Sequence, residues 1–335
     1  MDELRLALPS KGELEEDTIR FMAACGLRVD RSNPRQYTAR IPAAPSVRVL
    51  FQRAADILAK VEEGSADVGI TGLDIVRESA PEDGDVLVVM ELGYGRCELV
   101  LGVPESWVDV TATSDLADVA ASFKSKGREL RVVTKFPNLT RQFLYRAGIS
   151  YFAIVEAHGA LEVAPSMGYA DIIADLTSSG TTLRDNRLKR IAGGSILSAQ
   201  ACFIANRKLL AANEPKLHTT KTILELFEAH RRAADFLSVT ANIQGASADD
   251  VAHMVMRAPD LAGLQGPSIG RVFAKDRSSD GWYAVTVVVH KDLLLRAVEH
   301  LRSCGGSDVT AAPLGYVFEA KSWSYQALLD KIRKQ

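Results

Sequence analysis

Residues 170–183 read ADIIADLTSSGTTL, an apolar run that ends in an acid and then in a series of hydroxyl and glycine residues. Successive side chains of a strand point to opposite faces, so Asp171 and Asp175 are expected to share one face, with Asp175 at the carboxyl end. Ligands of α/β proteins bind at the carboxyl ends of the strands. The stretch therefore predicts an α/β protein in which this strand brings a carboxylate and a polar loop to a binding site.

The loop after this strand has the composition of a phosphate-binding turn. Its hydroxyl and glycine residues precede a short predicted helix, and they are Thr177, Ser178, Ser179, Gly180, Thr181 and Thr182. Backbone N–H groups in such a loop bind an anion without a fixed cation. Because an acid just before the loop would repel a phosphate, Asp175 is interpreted as binding sugar hydroxyls or acting through Mg²⁺ on a phosphorylated sugar.

The same residues also allow a second interpretation, a Ser/Thr-rich turn that caps a helix next to surface acids. Neither GxGxxG nor GxxxxGK[ST] occurs in this stretch, so the loop matches a nucleotide-binding glycine loop poorly. If the loop binds a ligand, the pattern favours a sugar phosphate over the phosphates of a nucleotide.

Short apolar runs alternate with amphipathic helices over the first two thirds of the chain, which predicts parallel sheets in α/β layers. The predicted strands include LRLAL, VRVLF, DVGIT and LRVVT. After about residue 205, a long predicted helix (217–236) precedes the strands VTANIQG, WYAVTVVVH and VTAAPLGYVF, with helices at 247–257 and 290–303. This β-α-β-β-α-β order predicts a small ferredoxin-like domain, in which residues 258–281 contain an exposed connection.

Three more polar groups lie at or near the carboxyl ends of predicted strands in the first half of the chain. They are Ser10, Lys11 and Gly12 in PSKG, Arg53 in FQRAADI, and Thr71, Gly72 and Asp74 in GITGLDI. Cations can face phosphate groups there, and glycines allow close approach of the backbone to a ligand. For the first group, the alternative is a helix capped by Ser10 with a solvated Lys11.

Composition excludes several classes of function. The 335 residues suffice for two or three domains, and the net charge of −2 gives no basic face for nucleic acid. We expect no membrane span, because no apolar run reaches ~20 residues. The first residues lack the features of a signal peptide, and the four cysteines form no CxxC pair, so the prediction is a cytoplasmic protein with reduced thiols. The six scattered histidines predict no metal site.

Seven segments in order carry a family resemblance: LPSKG, NPRQY, ADVGITGLDIV, LGYGRCEL, TKFPNLTRQFL, GALEVAPSMGYADIIADLTSSGTTLRDNRL and GLQGPSI. Together they resemble the ATP phosphoribosyltransferase family in its long form, and the sixth segment is the most specific. One departure is LGYGRCEL, where the family more often has arginine after the cysteine. Here Glu98 follows the cysteine and Arg96 precedes it, and neither is given a role.

The resemblance implies an α/β fold with a two-lobed, periplasmic-binding-protein-like catalytic region and a C-terminal ferredoxin-like α+β regulatory domain. The implied boundaries are 1–95 with 187–215 for lobe I, 96–186 for lobe II, 216–234 for a connecting helix and 235–335 for the regulatory domain. The implied reaction transfers a phosphoribosyl group from 5-phosphoribosyl 1-pyrophosphate to N1 of ATP and releases pyrophosphate, with Mg²⁺. Histidine is the implied feedback inhibitor, and a homo-oligomer (dimer or hexamer) is the implied assembly.

The resemblance and the strand pattern together assign the candidate site residues. Asp175 and Asp171 are the catalytic candidates, and no residue is predicted as a metal ligand. The phosphoribosyl pyrophosphate would be bound by Asp175, Thr177, Ser178, Ser179, Gly180, Thr181 and Thr182. ATP would be bound by Ser10, Lys11, Gly12, Arg53, Thr71, Gly72 and Asp74. The alternatives are a two-lobed small-molecule-binding sensor and a phosphoribosyltransferase with another acceptor.

Overall fold

The computed structural model describes residues 3–31, 33, 36–81, 84–157, 159–273 and 281–333. The chain forms two compact units, and the first holds the chain up to Thr220 together with the segment from Ser324 onward. The second unit is Lys221–Trp323. The NPRQY segment and the predicted connection 258–281 each include residues outside the described ones.

The first unit alternates strands and helices, as predicted. In chain order its elements are β1 (Leu4–Pro9), α1 (Glu13–Ala24), β2 (Thr38–Arg40), β3 (Val47–Gln52), α2 (Ala54–Glu62), β4 (Val68–Gly72), α3 (Leu73–Ser79), β5 (Val86–Glu91), β6 (Cys97–Pro104), α4 (Thr113–Ser125), β7 (Leu130–Thr134), α5 (Pro137–Arg146), β8 (Phe152–Glu156), β9 (Ile172–Thr177), α6 (Thr181–Asp185), β10 (Leu188–Ala199), β11 (Ala201–Asn206) and α7 (Arg207–Ala211). Helix α8 (Glu214–Ala233) follows and crosses into the second unit.

These strands form two sheets, one in each lobe. Lobe I has the order β2-β3-β1-β4-β11-β5, and lobe II has the order β10-β6-β9-β7-β8. In lobe I, β1 pairs in parallel with β3 and β4, while β11 is antiparallel to β4 and β5. In lobe II, β7 is parallel to β8 and β9, so the carboxyl ends of β7 and β9 meet at one edge. The two-lobed α/β fold is therefore confirmed.

The lobe boundary differs from the predicted one. β10 pairs along its length with β6, from Leu188 opposite Pro104 to Ala199 opposite Cys97. It therefore belongs to the sheet of lobe II, and the chain returns to lobe I at residue 200 and not at 187. Polar and glycine residues in the middle of β10 interrupt the alternation of apolar and polar side chains, so the sequence does not predict this strand.

Apolar strands bury both faces of each sheet, as expected for sheets covered by helices. All five residues of β4 are buried. In lobe II, Ile172 and Ala174 of β9 pack in one core with α4 and α5, whereas Ile173 packs on the other face with Leu161 and Leu183.

The chain crosses between the lobes twice, and the two crossings are hydrogen-bonded to each other. Leu92 N–H donates to the Ala201 carbonyl at 2.8 Å, and Ala201 N–H donates to the Tyr94 carbonyl at 2.9 Å. Gly93 N–H donates to the Gln200 side chain at 3.0 Å. Residues 92–96 and 200–201 are called the hinge below.

The second unit has the predicted ferredoxin-like order. Its elements are β12 (Phe236–Gln244), α9 (Ala248–Val255), β13 (Ser268–Arg271), β14 (Trp282–His290), α10 (Leu294–Ser303) and β15 (Ser307–Pro313). The sheet order is β13-β14-β12-β15, with antiparallel pairs throughout. β13 lies within the segment predicted as an exposed connection, and β15 ends at Pro313, five residues before its predicted end.

The C-terminal segment does not remain in the second unit. Helix α11 (Trp323–Arg333) belongs to the first unit from Ser324 onward, and Lys331 Nζ donates to the Val88 carbonyl of edge strand β5 at 2.8 Å. The predicted regulatory domain 235–335 is therefore too long at its end. None of the helices in the described part of the chain is long and apolar enough to span a membrane.

Candidate active site

Two adjoining cavities lie at the hinge, with volumes of about 310 Å³ and about 450 Å³. Arg96, Cys97, Thr177 and Ser178 line both of them. The smaller cavity also contacts Asp74 of lobe I. The hinge therefore brings the end of β9 next to the first turn of α3.

The hydroxyl-rich loop is held in shape by its own side chains. Gly180 N–H donates to Thr177 Oγ1 at 2.8 Å, and Thr181 N–H donates to Ser179 Oγ at 3.3 Å. Gly180 has a φ of 73°, the left-handed region in which glycine is favoured. These hydrogen bonds already use the N–H groups of Gly180 and Thr181, so the turn presents chiefly its hydroxyl groups to an approaching anion. Ser178, Ser179, Thr181 and Thr182 are exposed, as a binding loop requires.

Asp175 lies at the carboxyl end of β9, on the same face of the sheet as Ile173, which packs against Leu161. It is half-buried, and Leu176 N–H donates to its Oδ1 at 2.8 Å. Burial raises the pKa of Asp175, while this hydrogen bond and the charge of Lys135 oppose the rise. The negative charge of Glu162 raises the pKa further. The carboxylate is therefore held in a poorly solvated position.

Lys135 and Glu162 are neighbours of Asp175 that the sequence interpretation missed. Lys135 directly follows β7, the strand parallel to β9. The rule that selected Asp175, a polar residue at the carboxyl end of a strand, would also have selected Lys135 after LRVVT. Glu162 lies in the quoted segment GALEVAP, but no periodicity singles it out.

On the lobe I side, Gly72 and Asp74 line the smaller cavity. Asp74 is buried in the first turn of α3, and burial raises its pKa against hydrogen bonds from its own N–H and that of Ile75. A Cβ atom on Gly72 would lie 2.2 Å from Asp74 Oδ1, so the carboxylate needs a glycine at position 72 to occupy this place. Burial also raises the pKa of the Cys97 thiol to about 11, with a further contribution from Asp74, so this thiol lines the cavity in neutral form.

The remaining lobe I candidates divide into two groups. Thr71 is fully buried, and its Oγ1 donates to the Ala54 carbonyl at 2.8 Å, so its hydroxyl holds the start of α2. Lys11 and Arg53 are exposed, and they follow β1 and β3 at the same edge of the lobe I sheet. Ser10 is half-exposed in this turn.

The alternative in which Ser10 caps α1 is wrong, because the N-cap residue is Gly12. The φ of Gly12 is 79°, a conformation that side-chain-bearing residues rarely adopt.

The structure does not bring Asp171 to the loop, which corrects its selection as a catalytic candidate. Asp171 precedes β9 at the amino end, whereas the loop follows at the carboxyl end. Arg128 contacts its Oδ1 at 2.5 Å, and Arg131 N–H donates to its Oδ2 at 2.9 Å. Burial alone would raise the pKa of Asp171, but the hydrogen bonds and charges of Arg131 and Arg128 hold it below the ordinary value. We assign Asp171 a structural role.

We expect Asp171→Asn to lower the free energy of unfolding by about 1–3 kcal/mol, the scale of hydrogen bonds to charged groups, with kcat unchanged. The lowered pKa means that the wild-type carboxylate stabilises the fold above its unfolded pKa and loses this effect as pH falls through the folded pKa. Urea denaturation at pH 7 and at acidic pH measures both effects. A fall in kcat without a stability change would return Asp171 to the catalytic candidates.

Residues of the hinge and of the neighbouring strands β6 and β10 complete the site. Arg190 forms an ion pair with Glu98, and hydrogen bonds from Ser195 and Arg190 lower the pKa of Glu98 although burial opposes this. Arg96 is exposed and lines both cavities. Among the residues that the structure describes, no three His, Cys, Asp or Glu side chains are grouped to hold a metal ion. The exposed hydroxyl groups of the loop and the guanidinium of Arg96 can hydrogen-bond an anion, and a carboxylate such as that of Asp74 can face positive charge in the cavity.

Residues 53–228 match the family model described as HisG: ATP phosphoribosyltransferase, and residues 233–316 match HisG, C-terminal domain. ATP phosphoribosyltransferase 2, chloroplastic, from Arabidopsis thaliana is 40% identical over 336 residues, covering 99% of this chain and 81% of that protein. ATP phosphoribosyltransferase from Brucella melitensis is 43% identical over 225 residues, covering 66% of this chain and 94% of that protein.

A solved structure, the ATP phosphoribosyl transferase (HisG:HisZ) complex from Thermotoga maritima, aligns with a TM-score of 0.52 at 22% identity. The alignment covers 67% of this chain and 98% of that chain. At this identity the likeness concerns the fold alone, and it agrees with the two-lobed arrangement described above.

Proposed function

The chain belongs to the ATP phosphoribosyltransferase family, and from this premise we propose that its hinge cavities and the adjoining loop 177–182 form the active site. The enzyme transfers a phosphoribosyl group from 5-phosphoribosyl 1-pyrophosphate to N1 of ATP and releases pyrophosphate, the first step of histidine biosynthesis. One observation carries the assignment of the site: Thr177 and Ser178, which follow Asp175 at the end of β9 and begin the hydroxyl-rich loop, line the cavity that Asp74 lines from the other lobe.

The sugar phosphate is placed on lobe II. The 5-phosphate binds the loop of Ser178, Ser179, Gly180, Thr181 and Thr182 through its exposed hydroxyl groups, while the N–H groups of Gly180 and Thr181 hold the loop in shape. Asp175 binds ribose hydroxyls and, as pyrophosphate leaves, faces the positive charge that develops on the ribose. A carboxylate in a poorly solvated position stabilises such a charge more strongly than one in water, and burial of Asp175 supports this role.

ATP is placed on lobe I. Lys11 and Arg53 are exposed cations at one sheet edge, where they can face the triphosphate or the released pyrophosphate. Ser10, Gly12 and Gly72 offer backbone close to this edge, and Asp74 orients the nucleotide from the cavity. Thr71 serves indirectly, by holding α2. Holding N1 of adenine in line with the ribose supplies much of the rate, because the reaction needs little covalent help from the protein.

Mg²⁺ enters as part of the substrates. It binds phosphate oxygens with one or two protein carboxylates and keeps several waters, so it needs no dedicated cage. Asp175 is the carboxylate closest to the phosphate loop in sequence, and the metal would supply charge neutralisation of the leaving pyrophosphate.

The loop assignment is tested by Thr182→Glu. The Thr182 side chain makes no hydrogen bond to any residue that the structure describes, and an acid in the first turn of a helix does not disturb it. We expect the KM for phosphoribosyl pyrophosphate to rise at least ~10-fold, because carboxylate and phosphate repel, with the KM for ATP unchanged. Ultraviolet absorbance of the adduct formed from ATP, phosphoribosyl pyrophosphate and Mg²⁺ measures both constants.

Thr38→Glu, which adds the same charge at an exposed position of β2, is the matched control and should leave both constants unchanged. An unchanged KM for phosphoribosyl pyrophosphate in Thr182→Glu would mean that the loop only caps a helix and does not bind the substrate. The absence of any adduct in the wild type would instead favour the alternatives, a sensor or a transferase with another acceptor.

Histidine is the proposed feedback inhibitor, and the second unit offers a cavity for it. The cavity has a volume of about 650 Å³ and lies on the sheet face of Thr286 and Val288, opposite the core face of Val285, Val287 and Val289. Arg232, Glu319 and Lys321 supply both signs of charge for the carboxylate and ammonium of an amino acid. Ser268 and Thr286 offer hydroxyls, and Phe318 offers an aromatic face for an imidazole.

The assembly is proposed to be a homo-oligomer, a dimer or hexamer. The solved structure from Thermotoga maritima is a complex of two named components, HisG and HisZ, which is an assembly of a different kind. The cytoplasm remains the predicted location.

A further inference from the structure

A glutamate of lobe I caps a helix of lobe II. Glu78 Oε1 accepts from Asn138 N–H at 2.8 Å, and Glu78 Oε2 accepts from Leu139 N–H at 3.0 Å. Asn138 Nδ2 donates back to the Glu78 carbonyl at 3.1 Å. These three residues are called the interlobe clamp. We propose that the clamp fixes the spacing of the two lobes, so that Glu78 is a positioning residue for the transfer reaction.

The clamp replaces a local cap. The first N–H groups of a helix need partners from outside the helix, and Ser, Thr, Asn or Asp directly before it is the usual source. Before α5 the N-cap residue is Phe136, and Pro137 begins the helix. The N–H groups of Asn138 and Leu139 are therefore bonded by a carboxylate of the other lobe, which lies 60 and 61 residues away in sequence. The positive end of the helix dipole also favours this carboxylate.

On both lobes, the segment that carries the clamp also carries a residue of the proposed site. Asp74 lies in the first turn of α3 and Glu78 in its last, so the same short helix carries the cavity-lining acid and the clamp. On the other side, Asn138 lies three residues after Lys135, whose charge acts on Asp175. A shift of α5 relative to α3 would therefore move Lys135 relative to Asp74.

The turn between Lys135 and the clamp is rigid enough to transmit such a shift. Thr134 Oγ1 accepts from Phe136 N–H at 2.9 Å and contacts Thr140 Oγ1 at 3.4 Å. Thr134 and Thr140 are both fully buried. These contacts tie the end of β7 to the first turns of α5, so the position of Lys135 depends on where Glu78 holds the start of α5.

The clamp makes a distinct kinetic prediction. On the proposed placement of the substrates, phosphoribosyl pyrophosphate binds lobe II and ATP binds lobe I, so each substrate alone keeps its own contacts when the lobes shift. Reaction requires both in line, and a misplacement of about 1 Å can cost ~10²-fold in rate. We expect Glu78→Ala to lower kcat ~10- to 100-fold, while the Kd for phosphoribosyl pyrophosphate stays within about twofold of wild type.

The experiment combines steady-state kinetics, calorimetric titration of phosphoribosyl pyrophosphate and hydrogen exchange on the full chain. Amide exchange at Asn138 and Leu139 should accelerate ~10-fold or more in Glu78→Ala, with the amides of β9 unchanged, because the carboxylate is their only partner among the residues that the structure describes. Glu78→Gln, which keeps one acceptor oxygen, should recover part of kcat. Glu62→Gln, at an exposed glutamate on α2, is the matched control and should change nothing.

The outcomes separate the clamp from the proposed function. Unchanged exchange at Asn138 and Leu139 overturns the clamp whatever the activity. Faster exchange with kcat within twofold of wild type overturns its positioning role, as does a Kd loss that accounts for the whole defect. If the wild type forms no adduct from ATP, the assignment of the reaction fails, while the exchange data still test the clamp.

Discussion

Asp175→Asn is expected to lower kcat ~10²-fold or more, the scale seen when one strong electrostatic contact to a transition state is lost. The substitution keeps the shape of the side chain and its contact with Leu176 N–H, but it removes the charge that faces the developing cation on the ribose. Because this charge matters more in the transition state than in the bound substrate, the KM for phosphoribosyl pyrophosphate should change little.

The pH dependence of kcat is a second test of the role of Asp175. Burial raises the pKa of Asp175, and kcat requires the ionised form, so wild-type kcat should fall as pH falls through this raised pKa. The acidic limb attributable to Asp175 should be absent in Asp175→Asn. Asp118→Asn, at an exposed position of α4, serves as the control and should keep the wild-type profile.

Stability should respond in the opposite direction to activity. A carboxyl group with a raised pKa in the folded state destabilises the fold as pH rises and the group ionises. Removing this charge should therefore leave the Tm of Asp175→Asn equal to or above that of wild type at neutral pH. A KM effect with kcat intact would mean that Asp175 only binds ribose, and a large fall in Tm would mean that it is a structural acid.

Local patterns predicted the parts of the fold that local forces determine. The alternation of strands and helices gave both lobes, and the period of two in DIIAD put Asp175 at the carboxyl end of a strand. The same period selected Asp171, because alternation identifies a face and not the partners at its other end. Arg128 and Arg131 lie about 40 residues away in sequence, and only the pairing of β7 with β9 brings them to Asp171.

Sequence patterns could not predict contacts between segments that are distant along the chain. Glu78 is an ordinary glutamate on a surface helix until α5 is placed opposite it. The return of α11 to the first unit likewise depends on edge strand β5, whose Val88 carbonyl accepts from Lys331, and the sequence of the tail does not predict this contact. Lys135 is different: a signal was present at the end of LRVVT, and the strand-end rule applies to it as well as to Asp175.

The second large effect is expected in the second unit, where filling the effector cavity should abolish inhibition by histidine. Val288→Trp places a large side chain on the sheet face that lines the cavity, while the core face of Val287 and Val289 stays intact. A truncation near residue 220 would also remove α11, which belongs to the first unit. A point variant of the full chain therefore tests the cavity without changing the first unit.

Inhibition is expected if histidine binds one of two states of the enzyme better than the other, since only differential binding can shift an equilibrium. Val288→Trp should therefore turn over at the wild-type rate without histidine and lose both calorimetric binding and inhibition when histidine is added. Thr310→Trp, on the same sheet face at β15, adds an equal side chain at an exposed position outside the cavity lining and should keep both. Binding that persists in Val288→Trp with wild-type affinity would place the effector elsewhere in the chain. Binding without inhibition in the wild type would leave the cavity as a site but remove its regulatory role, because histidine would then have equal affinity for both states.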